Sequence, residues 1–188
     1  LTLVMTLCMV FSSVQIVFST NQFDKNTWVI SDSESYSNAN LSVSQITVKN
    51  GGTLTLNGCT LTFDGTGGLT VLKGGKLLLE NCTIQAANPT KGYFVYIEAD
   101  NCMFDTCRIS GMGNPRKEYG DRIFNVKDCK KFSLVKSQIK GYGSLESVTD
   151  SNISGNRFDG ICTERDGKSV LPVDPAITLN QTKKITIS

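Results

Sequence analysis

The stretch "GGTLTLNGCTLTF" (51–63) is followed twenty-three residues later by "GGKLLLENCTIQA" (74–86). Each stretch opens with a glycine pair, continues with apolar residues at every second position, and carries a cysteine. Alternation with a period of two is typical of β-strands that bury one face. Recurrence at a fixed interval is the signature of a repeat architecture. The two stretches therefore predict stacked, equivalent β-strands.

The same pattern continues along the chain, and the apolar residue three places before the cysteine serves as its reference. Its equivalents are Leu56, Leu79, Phe104, Leu134, Ile153 and Ile187, with steps of 23, 25, 30, 19 and 34 residues. An antiparallel meander would not return the same residue type at this interval. In a solenoid, each coil stacks about 4.8 Å from the one before. We therefore predict that these residues lie in a single file along the interior of an all-β solenoid.

Three further positions repeat in the same way. Two residues before the reference come Leu54, Leu77, Cys102, Phe132, Ser151 and Ile185. Two residues after the cysteine position come Leu61, Ile84, Ile109, Ile139 and Phe158. Before the glycines come Ile46/Val48, Leu69/Val71, Val95/Ile97, Phe124/Val126 and Ile177/Leu179. All four sets are predicted to point inward.

The repeats "ITVKNGGTLTLNGCTLTF" (46–63), "LTVLKGGKLLLENCTIQ" (69–85) and "FNVKDCKKFSLVKSQIKG" (124–141) resemble the right-handed parallel β-helix, or pectin-lyase-like, superfamily. The resemblance implies a right-handed single-stranded parallel β-helix of about 5–6 coils, in agreement with the right-handed crossover rule. It says little about activity. Members of the superfamily include lyases, hydrolases, epimerases, phage tailspikes and non-catalytic surface proteins.

The chain divides into three segments. Residues 1–19 are uncharged and apolar, and we interpret them as a signal peptide, with a retained membrane anchor as the alternative. Residues 20–44 are expected to form an N-terminal cap or an irregular first coil, with Trp28 as a plug over the core and a sugar-stacking platform as its alternative role. Residues 45–188 form the predicted β-helix, which we expect to continue beyond the last residue.

Charge and composition exclude some partners. Lys and Arg number 19 against 17 Asp and Glu, so no strong field favours nucleic acid or an anionic membrane. We expect a membrane to be involved only if the N-terminal segment is retained. The predicted location is extracellular, either secreted or at the cell surface.

Besides Cys8, the chain has six cysteines, whose disulfide pairing the sequence leaves open. Cys59, Cys82 and Cys107 occupy equivalent positions in consecutive repeats, with Ser137 and Asn156 following. Parallel Cβ vectors hold such sulfurs further apart than a relaxed disulfide requires, and a column does not converge on a tetrahedral zinc ion. We therefore predict small buried thiols in a turn of the core. Cys102 is predicted to be a core residue, and the positions of Cys129 and Cys162 allow no assignment.

Function in a repeat protein lies mostly in what interrupts the repeats. The two steps longer than the base period have their surplus in residues 111–122 and 160–174, with the shorter 140–144 between them. These loops are predicted to leave from one edge, about 10 Å apart. The residues predicted to bind a ligand there are Arg116, Lys117, Tyr119, Asp121, Arg122, Tyr142, Glu164, Arg165 and Asp166. The alternative is that these are solvated loop charges that pair with one another.

The chemistry of these side chains suits a glycan groove. The tyrosines would offer flat platforms to sugar rings, and the arginines would bind uronate carboxylates with their planar forks. No cofactor is evident, although Asp121 or Asp166 would suit Ca²⁺ or act as a base.

We therefore expect a secreted or cell-surface protein that binds a polysaccharide or a surface glycan, with the solenoid as a rigid adhesive scaffold. The alternative is a polysaccharide lyase or glycoside hydrolase whose catalytic coils are incomplete in this sequence. The chain has no histidine, so the histidine signatures of polygalacturonases and uronan epimerases are absent. No catalytic residue is predicted, and whether the protein is an enzyme is left open. A structural spacer without a ligand is the third hypothesis.

Overall fold

A computed structural model describes residues 23–65, 67–88, 91–113, 124–141, 143–159, 163–165, 168–170 and 177–187. These residues are all-β and contain no helix. The strands are β1 (Phe23–Ile30), β2 (Ser33–Ser37), β3 (Asn40–Val48), β4 (Thr53–Asn57), β5 (Thr60–Phe63), β6 (Gly68–Val71), β7 (Lys76–Glu80), β8 (Thr83–Ala86), β9 (Phe94–Ile97), β10 (Met103–Asp105), β11 (Arg108–Ile109), β12 (Phe124–Lys127), β13 (Ser133–Val135), β14 (Gln138–Lys140), β15 (Gly143–Glu146), β16 (Thr149–Ser154), β17 (Arg157–Asp159), β18 (Thr163–Arg165), β19 (Lys168–Val170), β20 (Ile177–Asn180) and β21 (Lys183–Ile187).

Two long sheets, parallel throughout, contain nearly all of these strands. Sheet A has 12 strands in the order β17-β14-β11-β8-β5-β3-β6-β9-β12-β15-β20, with β1 also paired to β3. Sheet B has seven, in the order β2-β4-β7-β10-β13-β16-β21. The short β18 and β19 pair with each other, antiparallel. This arrangement is compatible with a parallel β-solenoid, and we call each stretch that contributes one strand to sheet B a repeat.

Sheet A branches at β3, a nine-residue strand that pairs with β1, β5 and β6. The first part of β3 pairs with β5 and the last part with β6, so the sheet has two wings. The inward side chains of both wings and of sheet B belong to one hydrophobic cluster. Burying a leucine or isoleucine side chain in such a core contributes about 1.5–3 kcal/mol each. The repeated apolar positions are therefore the main source of stability.

The register of sheet B confirms the predicted interior file for Leu56, Leu79, Phe104 and Leu134. The prediction fails for Ile187, the last member of the file, which is 57% exposed in the last strand of the sheet. Leu56 pairs with Leu79, Leu79 with Phe104, and Phe104 with Leu134. All four side chains are buried. Tyr36 pairs with Leu56 and extends the file by one earlier position. The sequence pattern missed this position because the strand "SESYS" is otherwise polar.

The two ends of the core differ in their exposure. At the first repeat, Trp28 pairs with Ile46 and is buried, and its Nε1 donates to Glu34 at 3.2 Å. At the last repeat, Leu179 and Ile187 are 41% and 57% exposed. Residues 1–22, which include the predicted signal segment, lie outside the described residues.

The glycine pairs form tight turns between the strands of sheet A and those of sheet B. Gly75 N donates to Leu72 O at 2.8 Å, and Gly74 between them has φ +81°. A hydrogen bond across four residues with positive φ at the third is typical of a type II turn, which requires glycine there. Gly51, at φ +83°, occupies the same place in the preceding repeat. A Cβ on Gly52 would overlap with Ile30 O, so the second glycine permits close stacking of two repeats.

Candidate functional site

A surface groove of about 440 Å³ lies where three successive turns enter sheet B. This volume is within the range of about 300–1,000 Å³ that is usual for small-ligand sites. We call it the corner groove. Its lining residues are Lys73, Gly74, Gly75, Lys76, Glu98, Asp100, Asn101, Asp128 and Lys130.

The corner groove arises from a change in turn length between neighbouring repeats. Five residues separate Val71 from Leu77, whereas four separate the equivalent Ile97 and Cys102. In the shorter turn Ala99 is buried, whereas in the longer turn Lys73 and Gly74 are exposed. The neighbouring turns therefore differ in length and in exposure where the groove lies.

The charges in the corner groove are balanced. Three ammonium groups and three carboxylates belong to Lys73, Lys76, Lys130, Glu98, Asp100 and Asp128. In the described part of the chain, no ion pair within 4.0 Å involves any of these six side chains. Glu98 Oε1 and Asp100 Oδ1 accept hydrogen bonds from Tyr96 and from Lys130 N, but none of the six charges is neutralised by an ion pair within the described residues. Alternating ammonium and carboxylate groups offer both donors and acceptors to hydroxyl groups.

Backbone contacts hold the middle of the groove in place. Lys130 N donates to Asp100 Oδ1 at 2.7 Å, and Asn101 N donates to Lys130 O at 2.9 Å. Glu98 N donates to Val71 O at 2.8 Å. These bonds fix the positions of the turns relative to one another, so the groove is preformed.

Apolar surface adjoins the corner groove on the outer face of sheet A. Leu72 is 37% exposed, next to Lys73 in the chain. The half-buried Tyr96 donates a hydrogen bond from its hydroxyl to Glu98 Oε1. This tyrosine presents an apolar ring and a polar hydroxyl beside carboxylate and ammonium groups.

A second cluster is the column of cysteines, which we call the thiol ladder: Cys59, Cys82 and Cys107. Their following strands pair in consecutive repeats, and all three are buried. Ser137 and Asn156 continue the column, as predicted, and each accepts a backbone hydrogen bond from the repeat before. Cys107 N donates to Ser137 Oγ at 2.9 Å, and Ser137 N donates to Asn156 Oδ1 at 2.8 Å.

The cysteine sulfurs lie within hydrogen-bonding distance of backbone carbonyls in an earlier repeat, with Cys59 Sγ 3.4 Å from Tyr36 O and Cys107 Sγ 3.6 Å from Leu79 O. The hydrogen-bonded thiol of Cys82, together with burial, raises the pKa of Cys59. The thiols also contact one another. The hydrogen-bonded thiol of Cys107 raises the pKa of Cys82 to about 11, and the same contact lowers the pKa of Cys107.

The other described cysteines are buried outside the ladder. Cys102 and Cys129 are free thiols, as are the three of the ladder. Burial raises the pKa of Cys102 to about 11 and that of Cys129 to about 12. The prediction of small buried thiols is confirmed for the three ladder cysteines and for Cys102. Cys129, for which the sequence allowed no assignment, is also buried, and Cys162 lies outside the described residues.

Most of the loop residues predicted to bind a ligand lie outside the described residues: Arg116, Lys117, Tyr119, Asp121, Arg122, Tyr142 and Asp166. Glu164 and Arg165 lie on the backbone of β18, opposite Ser169 and Lys168 of β19. The strands that precede the two long loops, β11 and β17, both pair with β14. Both loops therefore start from one edge region of sheet A.

The corner groove was not identified from the sequence. Its signal was present, because the turn after Ile97 is one residue shorter than the turn after Val71. Its lining comes from three turns, however, and only the sheet register shows which of their side chains face one another.

Among the described residues, no group of three or more Cys, His, Asp or Glu side chains is arranged to hold a metal ion. The described part of the chain also contains no helix with the length and apolar character needed to span a bilayer. Comparisons of the chain with protein-family models, curated proteins and solved structures found no match.

Proposed function

We propose that this protein is a right-handed single-stranded parallel β-helix that binds glycans outside the cell, as a rigid scaffold with a preformed contact surface. The order and parallel register of sheets A and B support the helix, and right-handed crossovers are the rule between parallel strands. The resemblance of residues 46–63, 69–85 and 124–141 to pectin-lyase-like proteins supports the same fold. The seven strands of sheet B favour about seven coils rather than the 5–6 expected from the sequence, because β2 adds a strand that the repeat pattern did not include.

The observation that carries the glycan proposal is the corner groove, with six charged groups that form no ion pairs with one another in the described residues. Sugar hydroxyls donate to carboxylates and accept from ammonium groups, and side chains such as Leu72 and Tyr96 suit the apolar face of a ring. Because the charges balance, the groove favours a neutral or zwitterionic sugar. A polyuronate would meet Glu98, Asp100 and Asp128 as well as the lysines.

We call the edge predicted to carry the loops 111–122, 140–144 and 160–174 the loop edge, and it is proposed as a second contact surface. β11 and β17 flank β14 in sheet A, which supports a common edge for residues 111–122 and 160–174. In this proposal Arg116, Arg122 and Arg165 bind acidic units of the same polymer. The lyase or hydrolase hypothesis also rests on these loops, and the release of unsaturated products from polygalacturonate, alginate or chondroitin tests it.

Glycan-array binding of the full chain, followed by titration of the best ligand, tests the proposal. For the groove, Lys73→Ala and Asp128→Asn should each weaken binding by about tenfold, since a lost charged hydrogen bond costs about 1.5 kcal/mol or more. Lys49→Ala is the matched control, because Lys49 is exposed at the same corner one repeat earlier and does not line the groove.

Binding of the variants to the glycan array distinguishes the corner groove from the loop edge as the ligand site. A loss confined to the groove variants assigns the ligand to the corner groove. A loss confined to the combined Arg116→Ala, Arg122→Ala and Arg165→Ala variant assigns it to the loop edge and contradicts the groove. A wild-type chain that binds no glycan contradicts the proposed function.

A further inference from the structure

The thiol ladder has no role in glycan binding, yet it aligns three free thiols inside the protein. We propose that it binds Cu(I), a soft ion that accepts two ligands in line, between Cys82 Sγ and the Sγ of a ladder neighbour, Cys59 or Cys107. Cys82 is the ligand common to both arrangements.

The spacing of the ladder fits such an ion better than it fits a disulfide. Thr60 pairs with Thr83, and Thr83 with Arg108, so the preceding cysteines are stacked at the strand separation of about 4.8 Å. A disulfide requires Cβ atoms about 3.8 Å apart and an S–S bond of about 2.05 Å. A zinc–thiolate bond is about 2.3 Å long, and two metal–thiolate bonds of similar length in line span about 4.6 Å. An ion between two sulfurs therefore fits without displacement of the strands.

The ligand type and number select the ion. Thiolates are soft ligands that favour Cu(I), Zn²⁺ and Fe–S clusters. A structural zinc site needs four converging ligands, and the described residues contain no group of three or more metal-binding side chains arranged to hold an ion. A column supplies two sulfurs on opposite sides of one ion, which suits two-coordinate Cu(I).

Binding converts two thiols into a bis-thiolate. Each S–H bond breaks, its electron pair forms the S–Cu bond, and two protons leave to solvent, so the copper remains Cu(I) and the complex carries one negative charge. Deprotonation removes the hydrogen bonds that the S–H groups donate to backbone carbonyls, such as the 3.4 Å bond from Cys82 Sγ to Leu56 O.

The chain contains its own control for substitution. Ser137 occupies the ladder position after Cys107, where its Oγ accepts from Cys107 N and donates to Val135 O at 2.8 Å. Serine is therefore compatible with the backbone geometry of the column. A serine at position 82 removes the soft ligand and keeps the hydrogen-bond acceptor.

The test is an anaerobic competition titration of the reduced full chain with Cu(I) bicinchoninate, followed by X-ray absorption at the copper edge. Because the thiols are buried, each point is read at equilibrium. We expect wild-type protein to bind Cu(I) with two sulfur neighbours and no other ligand. Loss of a supporting contact costs a metal site about 10–100-fold in affinity, so Cys82→Ser, which removes a ligand, should cost at least about 100-fold. Cys59→Ser or Cys107→Ser alone leaves one pair and should cost less than about tenfold.

Cys102→Ser and Cys129→Ser are the controls, because both thiols are buried and free but lie outside the ladder. The double variant Cys59→Ser/Cys107→Ser isolates Cys82 and should lose as much affinity as Cys82→Ser, which keeps the test valid if one variant fails to fold. The proposal is overturned if wild-type protein binds no Cu(I), if Cys82→Ser binds as tightly as wild type, or if the copper has three or more ligands.

Discussion

The backbone N–H of Cys107 donates a 2.9 Å hydrogen bond to Oγ of Ser137, thirty residues further along the chain. The same relation joins Phe132 N to Ser151 Oγ at 2.9 Å in a neighbouring column. A buried N–H without a partner costs about 1–3 kcal/mol. These columns therefore stabilise the stack because each side chain accepts a backbone hydrogen bond from the repeat before it.

Removing the hydroxyl of Ser137 should destabilise the protein. Ser137→Ala leaves Cys107 N without its acceptor and should lower the free energy of unfolding by about 1–3 kcal/mol. Ser137→Cys should cost less, because cysteine occupies the same position in the three preceding repeats. Urea unfolding followed by circular dichroism measures both values. Equal losses for the two variants would show that the acceptor is not what matters.

A side chain at Gly74 should be poorly tolerated. Its φ of +81° is unfavourable for other residues, and a Cβ there would overlap with the Asn50 side chain. Gly74→Ala should therefore cost at least about 1–2 kcal/mol of unfolding free energy. Gly65→Ala is the control, since a Cβ there makes only an ordinary 3.5 Å contact with Ser44. Thermal unfolding compares the two, and a smaller effect at position 74 would contradict the turn assignment.

Truncating the interior file should have the largest effect of any single apolar substitution in this region. Leu79→Ala removes a fully buried side chain between Leu56 and Phe104 and should cost about 2–5 kcal/mol. Leu72→Ala, at 37% exposure, should cost less than about 1 kcal/mol. Chemical denaturation measures the difference, and similar costs would mean that Leu79 is not in the core.

Alkaline pH should lower the free energy of unfolding, because the buried thiol of Cys102 resists ionisation in the folded protein. Burial raises its pKa from 9.0 to about 11 in the folded protein, so folding favours the neutral thiol. The stabilisation is fully present below pH 9 and is lost as the pH rises toward 11. Two pKa units correspond to an order of 2 kcal/mol. Denaturant midpoints between pH 8 and 11 should fall more steeply for wild type than for Cys102→Ser, and parallel curves would contradict this.

The strand pattern made the interior files predictable. Alternation with a period of two assigns each side chain to a face, and equivalent residues such as Leu56 and Leu79 must then stack when the repeats do. The first repeat was harder to identify, because Tyr36 lies among serines and a glutamate and has no apolar partner in its strand. Trp28 was expected to be a plug. Its burial opposite Ile46, in a regular strand, became visible only with the pairing of β1 and β3.

The sequence alone determined the β-class of the protein, the identity of its inward residues and the column of Cys59, Cys82 and Cys107, because these depend on local alternation and on a repeated spacing. The tertiary structure decided where the corner groove lies and which backbone groups the ladder side chains accept from. Both involve residues of two or three different repeats. Their contact depends on the register of parallel strands and on the length of each turn, which together set the distance between atoms that are far apart in the chain.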